Sequence, residues 1–221
     1  MKPRGRSATM AHVNPARDAT NLFPTAPWGG RVMGELIRKI DPLARTCWEC
    51  ACGPGMLAHG LQDYFEAVHL SDFVQYGGHH VFDFVRGPAD QVPFAADWIA
   101  TNPPFDLVEE FIRAAYARAR RGVAMLVRLQ ALEGQERHRL LYEDCRLYAV
   151  APFSERLPLV MGCWDPEASS AAAYAIFVFL KPGTGPRTRP PHPYLIDIAP
   201  GAKARLSRPS DLQFAAVRVQ P

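Results

Sequence analysis

The chain has 221 residues, 48% hydrophobic and 21% charged, with a formal net charge of +3. That apolar content suffices for one sizeable core. With no apolar run reaching the roughly 18 residues of a membrane span and no secretory apolar region at the N-terminus, a soluble cytoplasmic protein is expected. Five cysteines, three of them at Cys47, Cys50 and Cys52, form an odd set that suits a reducing compartment. The Cys-x-x-Cys pair has no second pair at zinc spacing, so buried thiols are expected and no metal.

In chain order, residues 1–20 hold four basic side chains, Lys2, Arg4, Arg6 and Arg17, against Asp18, and read as a basic flexible tail. The segment Phe23-Pro-Thr25-Ala-Pro27-Trp28 then precedes a predicted helix from Gly30 to Ile40. A buried strand is expected to end at Glu49, followed by a glycine loop at Gly53 and Gly55 and a helix from about Met56 to Tyr64. Glycines there permit a tight turn and let a ligand approach the main chain at the mouth of a parallel sheet. By itself this Gly-x-Gly is only half of a dinucleotide fingerprint.

The next strand, Ala67 to Asp72, ends on a carboxylate able to accept both hydroxyls of a ribose. A third strand end carries Asp83 between Phe82 and Phe84, an arrangement that suits an adenine held between apolar side chains with its amine on the carboxylate. His79 and His80 are adjacent and point to opposite faces of a strand, which argues against a shared metal site.

The short apolar run Trp98-Ile99-Ala100 leads into Thr101-Asn102-Pro103-Pro104-Phe105. Proline fixes its own φ and pushes the preceding residue toward extended geometry, so this loop is stiff and can aim a carbonyl, a side-chain amide and an aromatic face at a ligand. Such a loop is a receptor for a planar group bearing an amino nitrogen. If the Asn102 oxygen and the Pro103 carbonyl accept the amine hydrogens, the nitrogen lone pair is freed for attack without a separate base, while Phe105 stacks on the ring.

Beyond the loop, Asp106 to Arg121 is a predicted helix ended by Gly122, Val123–Val127 a strand, Glu133–Tyr142 a charged helix and Arg146–Phe153 a strand. A long irregular segment, Ser154 to Ala172, separates these from a strongly apolar strand, Ala173–Leu180. Loops of that length are usually functional. Arg128 and Arg156 fall on the carboxyl side of the sheet and are substrate-side candidates for clamping a phosphate. Residues 181–221 hold seven basic against two acidic side chains, and many prolines, and read as an extended basic extension; residues 21–180 are left with a net charge of −5. Basic arms hold a phosphate backbone without reading sequence.

The run Glu49-x-Ala51-Cys52-Gly53-x-Gly55, followed by Asp72, Asp83 and Asn102-Pro103-Pro104-Phe105, resembles the class I S-adenosylmethionine-dependent N6-adenine DNA methyltransferases, in the compact form frequent in phages and prophages. The resemblance covers residues 21–181, with 1–20 as tail and 182–221 as extension. It implies an α/β Rossmann-like fold: a seven-stranded, mostly parallel sheet with an antiparallel edge strand and helices on both faces. It places Glu49, Ala51, Cys52, Gly53 and Gly55 at the cofactor's methionine part, Asp72 at its ribose and Asp83 at its adenine. Phe23, Thr25 and Pro27 would close over its carboxylate, and Asn102, Pro103, Pro104 and Phe105 would form the catalytic loop, with Asn102 also touching the cofactor.

The gap between Asp83 and Asn102 leaves no room for an inserted recognition domain, so sequence reading, if any, would rest on short loops such as Ser154–Ala172. DNA is the expected partner. Adenine in RNA, a glutamine amide in a protein, and an inactive nucleic-acid-binding relative stay open as alternatives, as does the oligomeric state.

Overall fold

The computed structural model describes residues 22–168, 172–186 and 191–215; the basic N-terminal tail and, in the C-terminal extension, Arg187, Arg189 and Arg218 lie outside the described residues. In chain order the main elements are α1 (Pro27–Ile40), β1 (Thr46–Glu49), α2 (Met56–Leu61), β2 (Ala67–Asp72), β3 (His80–Val81), β4 (Trp98–Thr101), α3 (Val108–Arg118) and β5 (Gly122–Arg128). There follow α4 (Gln135–His138), β6 (Leu147–Pro152), β7 (Tyr174–Leu180), β8 (Tyr194–Leu195) and α5 (Ala202–Leu206).

Among the described residues these strands make one eight-stranded sheet in the order β3-β2-β1-β4-β5-β7-β6-β8. Strands β1 to β5 pair in parallel, β7 runs antiparallel between β5 and β6, and β8 pairs in parallel with β6. The expected Rossmann-like α/β fold, with its β6–β7 hairpin, is the fold observed. An eighth short strand from the C-terminal segment lies outside that hairpin. From β1 the chain steps outward to β2 and β3, then returns to the other side of β1 for β4 and β5. The sheet therefore has its topological switch point between the carboxyl ends of β1 and β4, where open α/β sheets bind ligands.

Burial explains which runs became strands. Strand β7 is buried at every residue, and β5 at every residue except Arg128, as expected for strands covered by helices on both faces. One apolar layer packs under α1, α2 and α5 and includes Trp28, Leu57, Trp98 and Ile176. The other, with Ile99, Phe111, Val123 and Phe177, packs under α3 and the 135–144 segment.

Several boundaries differ from the sequence expectation. Helix α1 starts at Pro27, three residues early, because a proline at N1 presets φ and its missing N–H is one the first turn leaves unpaired anyway. Gly122 does not end α3, which stops at Arg118; it opens β5, where a Cβ would lie 2.6 Å from the Trp98 ring. The charged helix at 133–142 is instead one α-helical turn followed by a π-helical turn, Arg139–Asp144.

Two interactions seat α1. A Cβ at Gly30 would lie 2.2 Å from the Leu57 carbonyl oxygen, and one at Gly60 would lie 2.1 Å from the Pro27 carbonyl oxygen, so α1 and α2 cross backbone to backbone. Arg31, 1% exposed, donates to both oxygens of the buried Asp211 at 2.7 and 2.9 Å, to Asp63 at 2.6 Å and to the Leu206 carbonyl at 2.9 Å. Burial opposes ionisation of Asp211 most strongly, but the hydrogen bonds and charge of Arg31 together with the Arg208 N–H outweigh it and hold the carboxyl below its usual range. The C-terminal turn Pro209–Phe214 is thereby tied to the first helix.

Gly60→Ala tests the crossing. Glycine to alanine in a helix ordinarily stabilises by up to about 1 kcal/mol, whereas here overpacking is expected to destabilise by about 1–3 kcal/mol in urea unfolding. Asp211→Ala, which leaves Arg31 buried without its main partner, is expected to cost about 3–5 kcal/mol. A neutral result for either variant contradicts the corresponding contact.

Candidate active site

The carboxyl ends of β1, β2 and β4 deliver Glu49, Asp72 and Thr101 to one place. After Glu49 the chain turns back through Gly53 (φ +50°) and Gly55 (φ +84°), left-handed conformations that favour glycine. Cys52 N–H donates to the Ser71 carbonyl at 3.0 Å. Asp72 accepts Gly53 N–H at 2.8 Å on one oxygen and Val74 N–H at 3.0 Å on the other. The glycine turn and the β2 carboxylate are thus locked together.

A cavity opens over this turn. Of the residues expected at the site, Phe23, Thr25, Glu49, Ala51, Cys52, Gly53, Asp72, Asp83, Asn102, Pro103 and Pro104 line it. Gly55 and Pro27 do not line it; Gly55 is the N-cap of α2 and Pro27 the first residue of α1. Phe105 and Arg128 face a neighbouring groove. Arg156 is exposed in the segment after β6, away from the cavity lining.

The adenine sandwich expected from Phe82 and Phe84 is half corrected. Both rings are buried against Trp48, with centroids 6.2 Å away for Phe82 and 5.1 Å for Phe84, and of the two only Phe84 also lines the cavity. Between them, Asp83 uses one carboxylate oxygen to accept Val85 N–H at 3.0 Å and Arg86 N–H at 2.8 Å, which caps the following turn. Sequence reasoning missed Leu22, Phe73, Tyr76 and Phe111, which also line the cavity. Phe73 is 58% exposed although it directly follows the ribose candidate Asp72. An aromatic directly after the strand-end carboxylate Asp72 was the available signal.

Burial dominates the electrostatics of the carboxyl and thiol groups at the cavity floor. Glu49 is buried and its Oε1 accepts the Thr101 hydroxyl at 2.7 Å. Burial pushes its carboxyl up to about 8, the Thr101 hydrogen bond opposes this, and the neighbouring Asp72 adds to it. Burial likewise raises Asp72. The thiols of Cys47, Cys50 and Cys52 are pushed up by burial too, so they are neutral and inert as nucleophiles.

Asn102 closes the cavity from the β4 side. Its Nδ2 donates to the Phe23 carbonyl at 2.9 Å and to Thr25 Oγ1 at 3.1 Å. A carbonyl can only accept, so the amide orientation follows from the hydrogen-bond network. The Asn102 oxygen is buried and has no partner. An orphaned buried acceptor costs about 1–3 kcal/mol, and its presence beside a cavity marks a site built for a donor.

After the two prolines, Leu107 N–H donates to the Pro104 carbonyl at 3.1 Å and turns the chain into α3. Phe105 packs on Phe23 and Tyr174, with centroids 4.9 and 6.0 Å apart, and the Arg128 guanidinium lies over its ring at 4.4 Å. The ring face expected to meet an acceptor base therefore carries a cation in this state.

No family model matches the chain, and no curated protein does. Solved structures do. The methyltransferase subunit of a type I restriction-modification system from Streptococcus thermophilus superposes with a TM-score of 0.58 at 13% identity, over 79% of this chain and 47% of that one. The M protein of the type I restriction enzyme EcoKI gives 0.55 at 14% identity, over 89% and 53%. A putative RNA methyltransferase from Pyrococcus horikoshii gives 0.51 at 13%, over 69% and 83%. The chain spans about half the length of the two restriction-system subunits. The fold is that of the class I S-adenosylmethionine-dependent methyltransferases. Among the described residues, no helix is long and apolar enough to cross a membrane.

The Glu49 carboxyl makes a pH prediction. Its folded-state value is raised, so the native state holds a proton that the unfolded chain releases, and its stabilising contribution is lost as pH rises from about 5 to 8. The stability difference between wild type and Glu49→Gln should therefore shift against the wild type across that window and level off above it, measured by urea unfolding at several pH values. Parallel pH profiles would show that Glu49 is not held protonated.

Proposed function

We propose that this chain is an S-adenosylmethionine-dependent methyltransferase acting on an amino nitrogen, with the N6 amine of adenine in DNA as the acceptor its residues suit best. The observation that carries the reading is the Asn102 oxygen, buried, unpartnered and held in orientation at the wall of the cavity. The surrounding residues fit the cofactor. Glycines 53 and 55 hold left-handed turns beside the cavity, and a Cβ at Gly53 would come within 2.7 Å of the Leu22 side chain. Asp72 is fixed by two backbone N–H groups, and Phe73 offers an exposed aromatic side chain at the cavity. Glu49, Ala51, Cys52 and Gly53 would hold the methionine end, Asp72 the ribose and Asp83 the adenine, with Phe23 and Thr25 covering them. Bound there, the cofactor supplies an electrophilic methyl group on a cationic sulfur.

This chain's contribution is positioning and polarisation. The Asn102 oxygen accepts an amine hydrogen, and as that bond tightens the nitrogen lone pair loses conjugation with the ring and becomes nucleophilic. The two prolines restrain the loop backbone, and Phe23 and Thr25 hold the Asn102 amide, so the approach geometry is set before reaction. No side chain has to form a covalent intermediate, in keeping with the neutral thiols. An adenine inside a duplex would have to leave the stack to reach this depth.

One observation favours a second acceptor. The groove beside Phe105 carries Asp106, Glu109, Glu110 and Glu133 against Arg128 and Arg137. A phosphate backbone is poorly served by that balance, whereas a side-chain amide of a protein is not repelled. Methylation of a glutamine amide is the alternative reading, and adenine in RNA shares the electrostatic difficulty of DNA.

The test offers methyl-labelled S-adenosylmethionine and the full chain to adenine-containing DNA, to RNA and to a glutamine-bearing protein extract. Transfer to DNA is expected, with Asn102→Ala reducing kcat by about 100-fold or more while cofactor affinity stays near that of the wild type. Transfer only to RNA or protein selects the alternative acceptor. A chain that binds no cofactor contradicts the reading altogether.

A further inference from the structure

The segment 22–26 contributes Leu22, Phe23, Pro24 and Thr25 to the cavity wall and at the same time grips the acceptor loop. The Phe23 carbonyl and the Thr25 hydroxyl take both donor interactions of the Asn102 amide, at 2.9 and 3.1 Å. The Phe23 ring packs on Phe105 at 4.9 Å. The strap is itself held from outside: Gly162 N–H, in the long segment after β6, donates to the Leu22 carbonyl at 2.9 Å. Thr25 is buried, and the helix that follows is anchored by Pro27 at its first turn.

An asparagine amide has two faces of opposite character, an oxygen that accepts and a nitrogen that donates. Rotated by half a turn, Asn102 would present donors to the cavity and repel an amine hydrogen. The Phe23 carbonyl removes that alternative, because an amide oxygen turned toward it would set two acceptors against each other; the Thr25 hydroxyl, able to donate or accept, ties down the amide in the orientation that carbonyl selects. Proline restrains the Asn102 backbone but leaves its side-chain torsions free. The strap, not the loop, therefore decides which amide atom faces the acceptor.

We propose that Thr25 is a positioning residue: with the Phe23 carbonyl it locks the Asn102 amide so that its oxygen faces the acceptor, and it thereby couples seating of the strap over the cavity to readiness of the acceptor loop. The inference rests on the amine-methyltransferase reading above. Its consequence is that Thr25 matters for turnover more than for holding the cofactor. The Gly162 contact carries the same coupling outward, so the segment after β6 acts on Asn102 through Leu22.

Thr25→Val keeps both branches of the side chain and removes only the oxygen; Thr25→Ser keeps the oxygen and removes a methyl. The full chain with labelled S-adenosylmethionine, and the acceptor found in the transfer assay, is expected to show kcat reduced about 10-fold or more in Thr25→Val. Cofactor affinity should fall far less than kcat, melting temperature should stay near wild type, and kcat should recover most of its value in Thr25→Ser. Independently of activity, the Asn102 side-chain NH2 resonances in nitrogen-15 spectra should lose their protection from hydrogen exchange in Thr25→Val and keep it in Thr25→Ser. A Thr25→Val protein with wild-type kcat and unchanged Asn102 protection overturns the proposal. So does a kcat loss that follows a loss of cofactor binding or of folding, or one that Thr25→Ser fails to reverse. If the wild type transfers no methyl group to any acceptor while the Asn102 protection behaves as stated, the function reading fails and the positioning of Asn102 stands.

Discussion

Asn102 gives its amide hydrogens to the Phe23 carbonyl and the Thr25 hydroxyl, and its oxygen is left buried with nothing to accept from. Native structures leave few buried polar atoms unpaired, since each costs free energy that water would otherwise have supplied. The cost is tolerable at this point because the loop cannot relax away from it. Two prolines follow, Thr101 before it is fully buried and hydrogen-bonded to Glu49, and Phe105 after it is wedged between Phe23, Tyr174 and Arg128. These neighbours fix the loop, while the Phe23 carbonyl and the Thr25 hydroxyl hold the amide itself. The cavity chemistry follows from this constraint: an acceptor aimed at an incoming N–H, with uncharged thiols and a carboxyl pushed up to about 8 around it.

A site with an unpaired buried acceptor needs a scaffold that does not yield, and the fold supplies one. The central strands are buried on both faces. Below them Asp41 accepts the Trp98 indole N–H at 2.9 Å and both donors of Arg121 at 2.6 and 2.7 Å, fixing β4 and the start of β5 from the end opposite the site. Helices α1 and α2 cross at two glycines, which brings the strap and the glycine turn onto the same side of the sheet. The Arg31–Asp211 pair then fastens the C-terminal turn to α1, so residues far along the chain support the helix that begins immediately after the strap.

Much of this was legible in the sequence because it is local. Apolar runs marked β1, β4, β5 and β7, glycines marked the turn after Glu49, and the prolines after Asn102 marked a loop that could be neither helix nor strand. Those signals put the right residues at the carboxyl ends of the right strands. The pairings that complete the site join positions distant in the chain. Asn102 meets a carbonyl 79 residues earlier, and Arg31 meets a carboxylate 180 residues later. A backbone carbonyl has no signature in the sequence, and an arginine in a helix reads as a solvated charge until its partner is known. Phe82 illustrates the opposite failure. Local spacing set it beside Asp83 as a ligand contact, but the short β3 ends at Val81 and the ring is claimed by Trp48. Gly122 read as a helix stop for a sound local reason, yet the space that Trp98 denies to a Cβ explains the glycine there.

The account stands on one claim, that the unpaired oxygen of Asn102 accepts from the nitrogen that is methylated. The most direct measurement is mass spectrometry of completely hydrolysed DNA, RNA and protein from a host lacking its own adenine methylation, expressing the full chain or its Asn102→Ala variant. A new methyl group is expected on an exocyclic or amide nitrogen, present with the wild type and absent with the variant. A methyl group on carbon, oxygen or sulfur, or the same nitrogen product from both proteins, would contradict it.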